Sequence, residues 1–223
     1  MPSVVNTPLF SLTWQGQLSD YVTAMDWAPN GRWLALASGA GDVQVLNVAQ
    51  KQTFALESPA GQSIDCLQFS PDSQFLAAGG QRGQVKVWRL SDTLDALPWL
   101  SLDHPRTWIE HLAWHPTRLE LAFGLGRYVQ VWDMVNQSLI TTLPFETSSV
   151  LGLVWRPSGD SLGVGGHQGV KVWSAQDWDA DPIVRELSAA SVTLAISADG
   201  QYLASGNLDN TLLVWQWDSP YPW

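Results

Sequence analysis

The chain has 223 residues and a formal net charge of −10, and its eleven Lys and Arg form no run, so its average field repels both a phosphate backbone and an anionic bilayer. Nucleic acid and membrane are therefore not expected as partners. The lone Cys66 excludes an intrachain disulfide, and the opening Met1-Pro-Ser-Val-Val-Asn-Thr-Pro8 carries neither a basic n-region nor a long apolar run, which predicts a cytoplasmic protein without signal peptide or span.

Along the chain, residues 8–14 (Pro8-Leu-Phe-Ser-Leu-Thr-Trp14) read as an isolated outer strand. Residues 22–56 follow, with an aromatic-x-Pro anchor at Trp27-Ala-Pro29, a glycine turn at Gly39-Ala-Gly41 and an apolar strand ending Val45-Leu46-Asn47. The same order returns in residues 63–102, with Phe69-Ser-Pro71, Gly79-Gly80 and Val87-Trp88-Arg89. It returns again in 108–143, 149–187 and 191–217, with anchors Trp114-His-Pro116, Trp155-Arg-Pro157 and the worn Ile196-Ser-Ala198. Val131-Trp132-Asp133, Val172-Trp173-Ser174 and Val214-Trp215-Gln216 supply the second marker in these repeats.

Within 108–143 the local logic is clearest. Trp108 to Trp114 alternates as a half-buried strand, and His115-Pro-Thr117 breaks the ladder because proline fixes φ and lacks a donor. Leu119–Phe123, Tyr128–Asp133 and Leu139–Leu143 read as three further strands, separated by Gly124-Leu-Gly126-Arg127 and Asn136-Gln-Ser138.

The anchors are spaced by 42, 45, 41 and 41 residues, and the middle residue of the second marker follows each anchor by 18 or 19. Two markers locked at one period of strand-forming sequence predict an all-β fold: a β-propeller of four-stranded antiparallel blades, five repeats in one domain over 1–223. Five repeats leave the ring size open. The chain is expected either to be part of a seven-bladed ring continuing past Trp223, or to close as five blades with Pro8–Trp14 finishing the last, or to be completed by another chain. Seven of the fourteen Trp sit at repeat positions and are expected to fill the space between blades, which leaves Trp14, Trp33, Trp99, Trp108, Trp178, Trp217 and Trp223 as candidates for contacts.

Reactive constellations are missing from the sequence. His111 and His115 have a His-x3-His spacing, but on a strand they lie roughly 13 Å apart at about 3.3 Å per residue, so no metal site is expected and His111 reads as core, His115 as a turn residue. Asp177-Trp-Asp179-Ala-Asp181 resembles the start of a calcium loop but has Pro182 at the glycine position. The glycine clusters open no helix and precede no Lys-Ser/Thr pair, so they are not phosphate loops. No cofactor and no catalysis are expected.

The Trp/Phe-x-Pro anchors, the Val-Trp dipeptides and Leu203-Ala-Ser-Gly-Asn-Leu-Asp209-Asn-Thr-Leu-Leu-Val-Trp215 resemble the WD-repeat family of β-propellers over residues 8–217. That resemblance implies a His-Ser-Asp-Trp hydrogen-bonded tetrad in each blade. Ser205, Asp209 and Trp215 match three members in the fifth repeat, where the His position falls near Leu187. The Asp position reads as Ala40, Arg82, Gly126 and His167 elsewhere, and His104 alone sits near a family His position.

The resemblance also implies a partner-binding rim, at the start of each innermost strand and just before the tetrad Asp. Mapped onto this chain, the first set is Tyr21, Thr23, Ser63, Asp65, Trp108, Glu110, Ser149 and Leu151, and the second is Gly39, Gln81, Leu125, Gly166 and Leu208. Tyr21, Trp108, Leu125, Leu151 and Leu208 would form an apolar patch bordered by Asp65, Glu110 and Arg82. The expected function is a non-catalytic protein-protein interaction scaffold that offers this rim to a protein or peptide. The alternative is a propeller enzyme or carbohydrate-binding propeller with its site in the central channel.

Overall fold

In the computed structural model, residues 11–90, 98–146, 148–167 and 169–217 are described. Every regular element among them is a β-strand, and no helix is long and apolar enough to cross a membrane. The first sheet is β1 (Val22–Trp27), β2 (Trp33–Ser38), β3 (Val43–Asn47) and β4 (Gln52–Glu57), each antiparallel to the next. The second is β5 (Ile64–Phe69), β6 (Phe75–Gly80), β7 (Gln84–Arg89) and β8 (Leu100–Asp103), and the third is β9 (Leu112–Trp114), β10 (Glu120–Leu125), β11 (Tyr128–Asp133) and β12 (Ser138–Pro144). The fourth is β13 (Val150–Trp155), β14 (Ser161–Gly166), β15 (Gly169–Ser174) and β16 (Ile183–Glu186). The fifth has three strands, β17 (Ser191–Ile196), β18 (Tyr202–Asn207) and β19 (Leu212–Gln216). Ser11–Trp14 carry no strand, and Pro8–Phe10 of the expected outer strand lie outside the described residues.

The first strands of successive sheets pack side by side, β1 on β5, β5 on β9, β9 on β13 and β13 on β17, which is the arrangement of propeller blades around an axis. Between the first two sheets Leu67, Phe69, Leu76 and Trp88 pack on Val43, Val45 and Ala35. Between the second and third, Phe75, Val85 and Val87 meet Ile109, Trp114, Leu121 and Phe123. Trp155 and Trp173 close the third-to-fourth interface, and Trp215 the fourth-to-fifth. Each of these anchor and marker rings is at most 6 % exposed. Trp132 is partly buried, and Trp27 is 53 % exposed because, among the described residues, no other sheet covers its face of the first sheet, where Met25 is 70 % exposed.

Polar bonds cross the same interfaces. Trp114 donates its Nε1–H to the Gln68 carbonyl at 2.9 Å while its backbone N–H reaches Gln68 Oε1 at 3.0 Å. Trp155 Nε1–H reaches the Ala113 carbonyl at 3.0 Å, and the Phe69 N–H reaches Asp26 Oδ2 at 2.8 Å. The aromatic-x-Pro anchor thus combines area burial with a directional bond to the blade before it.

The tetrad differs from the sequence expectation. Ser38 donates its hydroxyl to Asp42 Oδ1, both side chains buried, so the first sheet does carry a Ser-Asp pair, at Asp42 rather than Ala40. Counting back from β3 lands on Ala40, but Asp42 stands two residues further on, at the place that Thr211 takes in the fifth sheet, whose β18–β19 connection has the same length. In the fifth sheet, Asp209 Oδ1 instead accepts from the Thr211 N–H and hydroxyl at 3.1 and 2.6 Å, and Ser205 turns to Asn207 at 3.0 Å. His115, read as a turn residue, does lie in the β9–β10 connection, but its side chain is 2 % exposed and buried in the interior.

Candidate functional site

Four of the five innermost strands carry the same defect. In β1 the pairing with β2 steps from Val22–Ser38 to Ala24–Ala37, leaving Thr23 as an extra residue. Asp65 in β5, Leu151 in β13 and Val192 in β17 are extra in the same way. A bulge frees one residue from the ladder and re-aims its side chain. All four lie four positions before the anchor residue, and in the third repeat that offset is Glu110, just ahead of β9. The fifth repeat therefore keeps the common register, with Val192, 37 % exposed, as the rim position missed in the sequence.

Around Glu110 the rim opens into a cleft of ≈ 400 Å³, bounded by Thr107, Trp108, His111, Gly124, Ser149 and Val150. That is within the range of about 300–1,000 Å³ seen for small ligand sites. Its walls come from the approach to β9, the end of β10 and the start of β13. Trp108 stands at its edge 57 % exposed, while the next residue, Ile109, is fully buried and anchors the segment in the core. Burial pushes the His111 imidazole below its ordinary 6.5, and the neighbouring Glu110 carboxylate pulls it back up, so the cleft combines a neutral-leaning imidazole with one carboxylate, Glu110, and one cation, Arg106.

Four of the other off-repeat tryptophans pack against rings or cations. Trp33 is buried and meets Phe54 edge-on at 6.3 Å, and Trp178 meets Trp155 at 5.9 Å. Trp99 packs on Phe75 at 6.2 Å under the Arg89 guanidinium, and Trp217 lies under that of Arg156. Trp223 lies outside the described residues.

Of the expected rim residues, Trp108 and Glu110 share the cleft, and Ser149 lines its far side. Thr23 donates its hydroxyl to the Ile64 carbonyl of the second sheet, and Asp65 accepts from Ser63 Oγ at 2.6 Å. Gln81 is tied through its N–H to the Ser63 carbonyl at 3.0 Å, and Arg82 is exposed beside it. Leu125 is half-buried against the second-to-third interface, and Leu151 is half-buried on its bulge. Tyr21, 69 % exposed, lies over Gly39 on the first sheet, and Leu208, 64 % exposed, lies on the fifth. Neither Tyr21 nor Leu208 lines the Trp108 cleft. The expected calcium-loop mimic is a turn in which Asp177 Oδ1 accepts from the Asp179 N–H at 3.1 Å. Among the described residues no group of three or more His, Cys, Asp or Glu is placed to hold a metal ion.

Comparison with known proteins follows the same lines. The chain is 26 % identical over 217 residues to human WD repeat-containing protein 18, covering 87 % of this chain and 50 % of that protein. It is 28 % identical over 196 residues to mouse WD repeat and HMG-box DNA-binding protein 1, covering 83 % and 14 %. The chain thus spans half or less of the length of these relatives. A chain of the crystal structure of the mitotic checkpoint complex superimposes with a TM-score of 0.76 at 23 % identity, over all of this chain and 71 % of the other, which shows a shared fold. The WD domain, G-beta repeat family model matches residues 7–44, 50–89 and 183–216, together half of the sequence, and with the blade order and anchors described above it places this chain in the WD-repeat family of β-propellers.

Proposed function

We propose that this chain is a non-catalytic scaffold that offers the cleft around Trp108 and Glu110 to a protein or peptide partner. The supporting observation is Trp108: a ring 57 % exposed beside an open cleft, carried on a segment whose next residue is locked in the core. An aromatic held rigid at low entropic cost is the usual anchor of a protein interface. The bulged positions Thr23, Asp65, Leu151 and Val192, with Glu110 at the same offset before its anchor, supply a polar and apolar margin. Propellers of this family typically serve protein interactions, and the folded frame leaves the rim free of ladder bonds for that purpose.

The test is quantitative capture of partners by the wild-type chain and by a Trp108→Ala, Glu110→Arg double variant with an unchanged far-ultraviolet spectrum. Loss of specific partners by the variant supports the assignment. Capture of the same set at the same yield overturns it.

A further inference from the structure

Between the first and second sheets, away from the Trp108 cleft, lies a small cavity of ≈ 20 Å³ lined by Ile64, Ala78, Arg82, Lys86 and Trp88. It has room for one compact polar group, too little for a sugar or an aromatic ring. Trp88 is 1 % exposed, and its Nε1–H has no hydrogen-bond partner. The equivalent Trp132 in the third sheet gives its Nε1–H to Gln130 Oε1 at 2.9 Å. An indole N–H removed from water and left unpaired is unfavourable, so an acceptor in this space is strongly stabilised.

The chemistry of the walls selects which acceptor. In the register of β6 and β7, Leu76 faces Trp88 and Ala78 faces Lys86, so Ala78 is the diagonal neighbour of the indole. The fifth sheet has Ser205 at this place, and the second sheet has a methyl group. Where Asp209 stands in the fifth repeat, the second has Arg82. Lys86, two residues before Trp88 on the same face of β7, pairs with Glu57 at 2.6 Å. Two cations and one carboxylate therefore border the cavity, a local excess of positive charge in a chain of formal charge −10.

We propose that this cavity is a carboxylate-binding site. One carboxylate oxygen accepts the Trp88 Nε1–H, and the charge is balanced by Lys86 and Arg82. The carboxylate is that of a small free acid anion or of an acidic side chain inserted from a peptide. The proposal does not depend on the Trp108 cleft, since no residue is shared.

The test uses the full chain with nitrogen-15 in its indoles, the Trp88 resonance being assigned by its disappearance in Trp88→Phe. Sodium acetate and a blocked Ala-Glu-Ala peptide are titrated at ionic strength held constant with chloride. A saturable downfield movement of the Trp88 indole proton is expected, weakened about tenfold in Arg82→Gln, where one charged partner is lost. Ala78→Ser places a hydroxyl acceptor beside the indole and is expected to abolish the response. Arg82 is exposed, so its variant keeps the test valid if Ala78→Ser disturbs folding. Response to acetate alone assigns the site to free carboxylates, and tighter response to the peptide assigns it to an acidic side chain. An unmoved resonance, or one that moves equally with chloride alone, overturns the proposal. Trp108→Ala, Glu110→Arg is expected to leave the response intact, which separates this site from the rim.

Discussion

His115 of the third sheet points its Nε2 at the Gly159 carbonyl of the fourth, 2.9 Å away. Its Nδ1 accepts the backbone N–H groups of Thr117 and Arg118 at 3.1 and 2.9 Å, which fixes the proton on Nε2 and makes that nitrogen the donor to Gly159. Arg118 Nε, 3.0 Å from the same Nε2, then meets it as a second donor, a repulsive approach rather than a bond. Trp155 closes over the imidazole edge-on at 4.7 Å, so a polar pin and an aromatic contact share one blade interface.

Gly159 is expected to tolerate no side chain. Its φ is +77°, and an added Cβ would lie 2.3 Å from the His115 ring. Gly159→Ala should destabilise the fold by about 2–4 kcal/mol from left-handed strain plus overpacking. Adding His115→Ser should recover part of the loss, because the clash disappears while the strain stays. Chemical denaturation of both single variants and the double variant measures the coupling.

Acid should weaken the protein through its histidines. Burial, reinforced by the Arg118 charge, holds the His115 imidazole below its ordinary 6.5 against the pull of the Gly159 carbonyl, and burial lowers His104 and His111 as well. A base with a depressed folded pKa contributes its full stability above the unfolded value, and loses it as pH falls from about 6.5 toward the folded value, because the unfolded chain takes up the proton first. Unfolding free energy is expected to drop between pH 7 and 5, and to drop less in His115→Gln. Equal slopes in the two proteins would refute the role given to His115.

The Ser38–Asp42 pair predicts an asymmetry between the first and fifth sheets. Asp42 is 2 % exposed and also receives the Ser19 N–H at 3.3 Å, so Asp42→Ala should cost about 2–3 kcal/mol by stranding a buried hydroxyl. Asp209 serves an exposed turn, and Asp209→Ala should leave the thermal midpoint nearly unchanged. Thermal unfolding of the two variants side by side checks this.

The anchor tryptophans should likewise differ. Trp155 is 6 % exposed, and Trp155→Ala is expected to cost about 3–5 kcal/mol, against less than about 1 kcal/mol for Trp27→Ala on its uncovered face. Unfolding midpoints in urea give the comparison directly.

These contrasts mark what can be read from sequence and what cannot. Blade order, strand spacing and the buried role of Trp88, Trp114, Trp155, Trp173 and Trp215 were legible, because a large ring and a chain break at fixed spacing are local demands of each blade. The exposure of Trp27 was not, since burial of an anchor is decided by the neighbouring sheet. Asp42 was hidden because it stands two residues past the position the family pattern gives to the Asp, and His115 by a partner in the next repeat, Gly159. The rim offsets at Thr23, Asp65, Glu110 and Leu151 came from family resemblance, whereas the bulge found at Thr23, Asp65 and Leu151, which also adds Val192, leaves the apolar pattern of the strand intact and so gives no periodic signal. The Trp88 cavity is a difference between repeats, visible only once the diagonal neighbour of the indole is known.

The recurring bulge has an evolutionary reading. A residue that makes no ladder bond constrains its neighbours little, so Thr, Asp, Leu and Val occupy the same offset in different blades without disturbing the pairing on either side. Drift can rewrite these places one blade at a time, and the scaffold beneath them stays whole.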